Sequence, residues 1–386
     1  MIKIQTKEDC CGCSACVSIC AHDAIIFEED ELGFCYPHVQ LDKCTDCHLC
    51  ENVCPILRNM DDDAQESSGF VQRTYAAHSN DKSIHLNSSS GGIFLTISRY
   101  VIEHGGVVYG ALYDENMAVT HGRASDNVEI IALSGSKYSQ STTLGVFKQV
   151  KEDLKSDKWV LFTGTPCQVD GLRLFLKRDY PNLILIDLIC HSVPSPKVFK
   201  DYLSFVRSKV GKKVVGFNMR SKEHGWGNNS MRLCFEDGSS CNNKLSNLWS
   251  TIYWSGLVLR PSCTKCQYTN LNRRGDITIG DFWGVENHYP ELVDKRGLSL
   301  VFVNSPKGEQ VFNSLKDRLN VHQVEQEKCM QPALMYPVKA NTSHPNFLFY
   351  YSHLPFRYVA MRYWGWGFVN TFRWKVSDLI HKCLGR

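Results

Sequence analysis

The strongest constraint on this chain is where its cysteines stand. Of 386 residues 18 are cysteine, and ten of these fall within the first 54. Cys10, Cys13, Cys16 and Cys20 are spaced C-x2-C-x2-C-x3-C. Cys44, Cys47, Cys50 and Cys54 repeat that spacing 34 residues later, and Pro55 follows the last. A short secreted chain would use so many thiols as disulfides. Here Met1 to Lys7 carries no apolar signal segment, and a chain of this length can build a core without covalent staples. The pattern therefore reads as metal or redox chemistry in a cytoplasmic protein.

Each run of four matches the spacing with which bacterial ferredoxins hold [4Fe-4S] clusters. Three thiolates on a tight loop reach three corners of one cubane. The fourth begins a helical turn facing the other way and reaches the second cube. The expected partition is Cys10, Cys13, Cys16 and Cys54 on one cluster, with Cys44, Cys47, Cys50 and Cys20 on the other. Zinc would need two C-x2-C pairs separated by a longer loop, which two runs of four do not provide. The first run differs in one place, with Ala21 where proline follows the last cysteine of the second. Cys11 and Cys35 lie outside the repeat and read as small buried thiols. Residues 1–58 are thus expected to form a ferredoxin domain. The polar, acidic stretch 59–69 reads as a linker.

The remainder has the composition of a globular protein, 43% hydrophobic and 22% charged, with a net charge of +3. That balance gives no basic stripe for nucleic acid, and no run of 18 apolar residues suggests a membrane span. Residues 91–104 have helical spacing (Ile93, Phe94, Ile97, Tyr100, Val101), followed by a strand at 107–109. A helix at 144–154 leads to a buried strand at 159–162, and a helix at 172–177 leads to another at 183–189. Strand, loop and helix at this pitch predict an α/β core with parallel pairing. Both buried strands deliver a cysteine, Cys167 and Cys190, at the carboxyl end, where such sheets bind ligands. A further C-x2-C stands at Cys263 and Cys266. From spacing alone these four cysteines are either a third metal site or ordinary buried thiols.

Five motifs occur in order: Asn87 to Gly92 (NSSSGG), Ser136 to Ser141 (SKYSQS), Gly164 to Gln168 (GTPCQ), Asp187 to Pro196 (DLICHSVPSP) and Gly275 to Gly284 (GDITIGDFWG). In these the chain resembles the coenzyme F-420 hydrogenase/dehydrogenase beta-subunit family over roughly residues 1 to 340, including the fused two-cluster ferredoxin domain that many members carry. Members are iron–sulfur flavoproteins that pass electrons between clusters, FAD and a two-electron partner. The resemblance implies a flavin- and third-cluster-binding oxidoreductase domain over 70–340, with Cys167, Cys190, Cys263 and Cys266 as ligands of the third [4Fe-4S] cluster. It also implies that Ser88, Ser89, Ser90, Gly91 and Gly92 seat the FAD pyrophosphate, as hydroxyls and free N–H groups at a helix start can. Lys137, Tyr138, Gln140 and Ser141 are implied for the isoalloxazine or ribityl group, and Thr165, Gln168 and Asp281 as further cofactor contacts. His191 is the candidate proton donor, or else a histidine that only positions its neighbours.

The expected protein is therefore a flavin-dependent iron–sulfur oxidoreductase with a ferredoxin-like redox partner and a small-molecule, deazaflavin-type or lipid-linked substrate. The alternatives are an electron-transfer subunit with no substrate site of its own, and a redox sensor. The segment 341–386 is rich in aromatic and basic residues. It is expected either to pack on the main domain or a partner, or to make peripheral contact with the inner face of a membrane.

Overall fold

A computed structural model describes residues 1–58, 69–228 and 230–367. Most of the expected linker 59–69 and the end of the aromatic extension, 368–386, lie outside the described residues.

The N-terminal unit is built on the cysteine repeat. Short helices Ala15–Ile19 and Leu49–Asn52 stand 34 residues apart, like the cysteines. The loops before them share a backbone shape: Gly12 and Ser14 in the first, Asp46 and His48 in the second, all have positive φ. A hairpin of β1 (Ile25–Glu29) and β2 (Cys35–Val39) covers the pair.

The body is a mixed sheet of eight strands. Among the strands of the chain are β3 (Arg73–Ser79), β4 (Val107–Tyr113), β5 (Val119–Ala124), β6 (Val160–Gly164), β7 (Leu183–Leu188), β8 (Val214–Asn218), β9 (Arg232–Phe235), β10 (Ser240–Cys241), β11 (Ile277–Asp281), β12 (Ser299–Val303) and β13 (Leu319–Gln323). The large sheet runs β13-β3-β12-β11-β7-β6-β4-β5. Its centre, β4, β6, β7 and β11, is parallel as expected. The expectation of parallel pairing stops there: β5 pairs antiparallel with β4, and β12, β3 and β13 continue antiparallel from β11. Every residue of β6 and of β12 is buried, which explains their unbroken apolar runs.

Helices Ile93–Glu103 and Pro306–Asn313 cover one face of this sheet, meeting Leu161, Ile184, Ile186 and Val301. Helices Val146–Lys155 and Pro166–Leu176 cover the other, meeting Val160, Phe162 and Leu185. The N-terminal unit joins that second core through Cys11, Cys13, Ala15 and Val53. Helix Pro166–Leu176 starts six residues earlier than its apolar spacing predicted, because Pro166 takes the first helical position and the Gln168 side chain accepts from the Thr165 N–H at 3.0 Å. The approach also needs Gly171, where a Cβ would lie 2.8 Å from the Cys13 sulfur.

A small sheet, β10-β9-β8, packs with helices Pro196–Val210 and Lys244–Trp254 in a separate core. Helices His344–His353 and Phe356–Tyr363 join it, burying Phe347, Val359, Ala360 and Trp364. The first part of the segment 341–386 is therefore part of the body. No described helix is long and apolar enough to cross a membrane.

Candidate functional site

In the N-terminal unit two hollows open among the cysteines. One, of about 370 Å³ including its solvent mouth, is lined by Cys20, Cys44, Cys47 and Cys50. The other, of about 310 Å³, is lined by Cys10, Cys13, Cys16 and Cys54, with Cys11 at its wall. This is the crossed partition that the spacing predicts: the last cysteine of each run faces the other run's hollow. Backbone N–H groups already point at sulfur, from Ile2 to Cys50 at 3.2 Å and from Ala24 to Cys20 at 3.3 Å. Among the described residues no three His, Cys, Asp or Glu side chains converge on a single ion. Four thiols spread around a hollow instead fit a cubane, which takes one thiolate on each iron.

The third set comes together from three parts of the chain. Cys167 is in the first turn of helix Pro166–Leu176, where its sulfur lies 3.2 Å from the Thr165 hydroxyl. Cys190 is two residues beyond β7. Leu259 bridges antiparallel to Pro194 and the Arg260 N–H donates to the Val193 carbonyl, which carries Cys263 and Cys266 up to Cys190. Burial raises the Cys190 thiol well above its usual range, and Cys263, Cys167 and Cys266 raise it further by proximity. Burial pushes Cys263 to about 12 and Cys266 to about 11. A cationic centre among them reverses that penalty, since a coordinating thiol gives up its proton. Cys11, expected to be a mere buried thiol, stands between the sets, within hydrogen-bonding reach of both Cys13 and Cys167.

The loop carrying Cys263 and Cys266 is fixed by a buried polar cluster. Asp187 accepts from Arg273 Nη2 at 2.9 Å, from the Thr278 hydroxyl at 2.6 Å, and from the N–H groups of Arg274 and Gly275.

The sheet topology brings the other candidates to the same edge. β3, β6, β7 and β11 point one way, so Ser88 to Gly92, Thr165 to Gln168, Cys190–His191 and Asp281 follow strands that end on one side. Ser88 to Gly92 does open a helix, with Gly92 as its left-handed cap. Ser89 accepts from the Ser136 N–H at 2.8 Å, and Ser90 donates to the Leu298 carbonyl at 2.8 Å. Lys137 is held by the carbonyls of Ser134 and Gly135, and burial lowers its pKa to about 7. Tyr138 stacks on Tyr253 at 4.9 Å, and His191 lies 5.9 Å from that same ring and 5.1 Å from Trp254.

Other candidates meet protein partners. Gln140 donates to the Cys11 carbonyl and accepts from Arg260, so it ties the first cysteine loop to the body. Gln168 donates to Ser141 and accepts from Thr165, which joins three candidates in one network. Asp281 accepts from Trp226 Nε1 at 2.8 Å and from Arg220 at 3.4 Å.

The sequence reading missed Arg220, Lys222, Trp226, Tyr253 and Trp283. Trp226 and Trp283 stack in parallel at 5.1 Å, with the Arg220 guanidinium 4.8 Å from the Trp283 ring. Lys222 reaches the carbonyls of His85 and Ser90. Trp283, in the motif GDFWG, was the one visible signal. Among the buried polar atoms without a partner are His121 Nδ1, Ser139 Oγ and Thr163 Oγ1. Buried polar atoms are normally satisfied, so open groups on these segments fit a polar ligand such as a flavin.

Residues 157–327 match the family model for the C terminus of the coenzyme F420 hydrogenase/dehydrogenase beta subunit. That stretch runs from β6 through β13 and holds all four cysteines of the third set. Among curated proteins no sequence matches the chain. Among solved structures, a chain of the F420-reducing [NiFe] hydrogenase complex from Methanosarcina barkeri is 19% identical, with a TM-score of 0.47, over 66% of this chain and 82% of that one. Over residues 157–327 the chain is similar to the C-terminal part of the coenzyme F420 hydrogenase/dehydrogenase beta subunit.

Proposed function

We propose that the chain is an iron–sulfur flavoprotein oxidoreductase that converts between one-electron and two-electron chemistry. The observation that carries this reading is the three cysteine sets in series: the exposed set with Cys47, the buried set with Cys13, and the set with Cys167, the last two joined by Cys11. When bound, three [4Fe-4S] clusters would supply single electrons and FAD would exchange them in pairs with an organic substrate or deazaflavin-type coenzyme.

The chain's own residues have defined tasks in this reading. Cys47, exposed at the far end of the N-terminal unit, marks the face where a ferredoxin-like partner docks. The buried core around Cys13 and Ala15 excludes water between the second and third sets, which favours direct electron passage. Ser88 to Gly92, with Lys222 on the Ser90 carbonyl, seats the phosphates. Tyr138 and Tyr253, stacked on each other, would form one wall for the planar ring beside the third set. His191 is the proton donor, and turnover that persists in His191→Ala with full cofactor content would remove it from this role.

The experiment is iron, sulfide and flavin content of anaerobically purified protein. Three cubanes predict about twelve iron per chain, with about one FAD. About eight iron without flavin would favour the second reading, an electron-transfer subunit with no substrate site. Its support is the family itself, whose description is that of a beta subunit.

A further inference from the structure

Arg260 is 1% exposed, among the largest side chains the fold buries completely. Its hydrogen bonds go to neutral groups: Nε to the Cys10 carbonyl at 2.7 Å, Nη1 to Gln140 Oε1 at 2.7 Å and Nη2 to the Cys35 carbonyl at 2.9 Å. Nη2 also points at the Cys10 sulfur, 3.5 Å away. The rings of Tyr36 and Phe34 lie 4.6 and 5.4 Å from its Cζ. No described carboxylate pairs with it, although the other deeply buried arginines Arg273, Arg274 and Arg220 each have one. A guanidinium does not shed its proton, and an uncompensated buried charge is costly. The missing negative charge is at hand only as thiolate sulfur: Cys10 in direct contact, and Cys263 one turn along the chain, its N–H donating to the Arg260 carbonyl at 3.0 Å.

The repeat supplies an internal comparison. Gly12 faces Arg260, and a Cβ there would lie 2.8 Å from Nη1. Its counterpart Asp46 is exposed and pairs with the Met1 amine, which also reaches Glu51. The set of Cys10, Cys13, Cys16 and Cys54 thus has a buried, unscreened cation. The set of Cys44, Cys47, Cys50 and Cys20 has a solvated group of both signs.

We propose that Arg260 is a potential-setting residue, which raises the reduction potential of the cluster held by Cys10, Cys13, Cys16 and Cys54 above that of the cluster held by Cys20, Cys44, Cys47 and Cys50. The inference rests on the cluster reading above. A thiolate-ligated cubane becomes more negative by one charge on reduction, and a fixed positive charge in a medium of low dielectric favours that state. The inner cluster is then the one to which the exposed cluster loses its electron. The charge of Arg260 also acts on Cys167 and Cys263 of the third set, so it bears on the step between the N-terminal unit and the body.

The test is a redox titration of the full chain followed by electron paramagnetic resonance, with dithionite as reductant and iron content measured on each sample. The two signals are assigned from Cys54→Ser and Cys20→Ser proteins. Arg260→Gln is expected to shift the inner cluster's reduction equilibrium toward the oxidised form by tenfold or more, which is 59 mV for a one-electron couple. The outer cluster should move less than threefold, and Arg260→Lys should restore most of the shift. Gln140→Glu keeps the arginine in place and sets a carboxylate at its Nη1, so it should shift the same cluster in the same direction even if Arg260→Gln fails to fold. Full iron with an unmoved inner cluster in Gln140→Glu, or equal shifts of both clusters, would overturn the role of Arg260 and leave the clusters standing. Wild-type protein that takes up no iron would end the cluster reading itself.

Discussion

Arg273 Nη2 lies 2.9 Å from Asp187 Oδ1, and neither side chain has more than 1% of its surface in contact with solvent. The pair fastens the end of β7, which leads to Cys190, to the loop that follows Cys263 and Cys266. Three further donors complete the carboxylate: the Thr278 hydroxyl and the N–H groups of Arg274 and Gly275. Breaking a buried pair from one side leaves the other charge unpaired. Asp187→Ala is therefore expected to cost about 3–5 kcal/mol, measured by denaturant unfolding, and to lower iron retention at the third set first. Joint replacement of both by apolar residues should recover part of that loss. A double variant less stable than Asp187→Ala alone would show that packing, not charge, dominates there.

The crossed partition of the cysteines makes a prediction that an uncrossed one does not. Cys54→Ser should perturb the cluster held by Cys10, Cys13 and Cys16, although Cys54 belongs to the other run. Cys20→Ser should perturb the cluster held by Cys44, Cys47 and Cys50. The two hollows differ in exposure, with Cys47 exposed and Cys13 buried, so oxygen should destroy the cluster held by Cys20, Cys44, Cys47 and Cys50 faster. Paramagnetic resonance spectra of the two variants, each reduced anaerobically, decide between the pairings.

Gly12 and Asp46 occupy equivalent left-handed positions in the two loops, at φ +71 and +51. Their surroundings differ, and substitutions should differ with them. Gly12→Ala places a Cβ 2.8 Å from both Arg260 Nη1 and Gln140 Nε2, and it adds left-handed strain of about 1–2 kcal/mol. Together with overpacking of about 1–3 kcal/mol, this should loosen the N-terminal unit from the body. Asp46→Ala loses only exposed contacts with the Met1 amine and the His48 ring, and is expected to leave the unit as firmly attached as in wild type. Limited proteolysis of the full chain, compared across the two variants, measures the loosening. Equal cleavage rates would show that the Arg260 contact does not fasten the unit.

What the sequence made legible was what is local. Spacing in runs of four gave the two hollows, because each thiol's direction is set by its own loop and the helical turn after it. Apolar runs gave β6 and β7, since a strand buried on both faces needs them. The antiparallel side of the sheet was not legible: β12 reads like the central parallel strands because it too is buried on both faces, yet it runs antiparallel to β11 and β3. Arg260 was invisible for a different reason. Its partners Cys10 and Gln140 are 250 and 120 residues away, and nothing around it at 257–262 marks a buried cation. Gln140, assigned by resemblance to a cofactor contact, turns its amide to the Cys11 carbonyl and its oxygen to Arg260. No local pattern distinguishes those uses.

His121 supplies the clearest dependence on pH outside the cysteine sets. It is buried beneath the sheet edge, stacked on Phe162 at 5.3 Å, with Nε2 donating to the Thr163 carbonyl at 3.0 Å. Burial lowers its pKa from 6.5 to about 4, and the nearby Lys137 acts in the same direction. The folded protein therefore holds this ring neutral at a pH where the unfolded chain already binds a proton. Stability is complete above pH 6.5, falls as the pH drops through the window from 6.5 to 4, and levels off once the folded state is protonated too. At about 1.4 kcal/mol per unit, the loss is on the order of 3 kcal/mol. His121→Phe keeps the stack and removes the titration, so its unfolding free energy should decline less steeply than wild type between pH 7 and 5. Other acid-sensitive groups contribute equally to both proteins and cancel in the difference. Parallel slopes would show that the ring titrates in the fold as it does in the unfolded chain, so that burial does not hold it neutral.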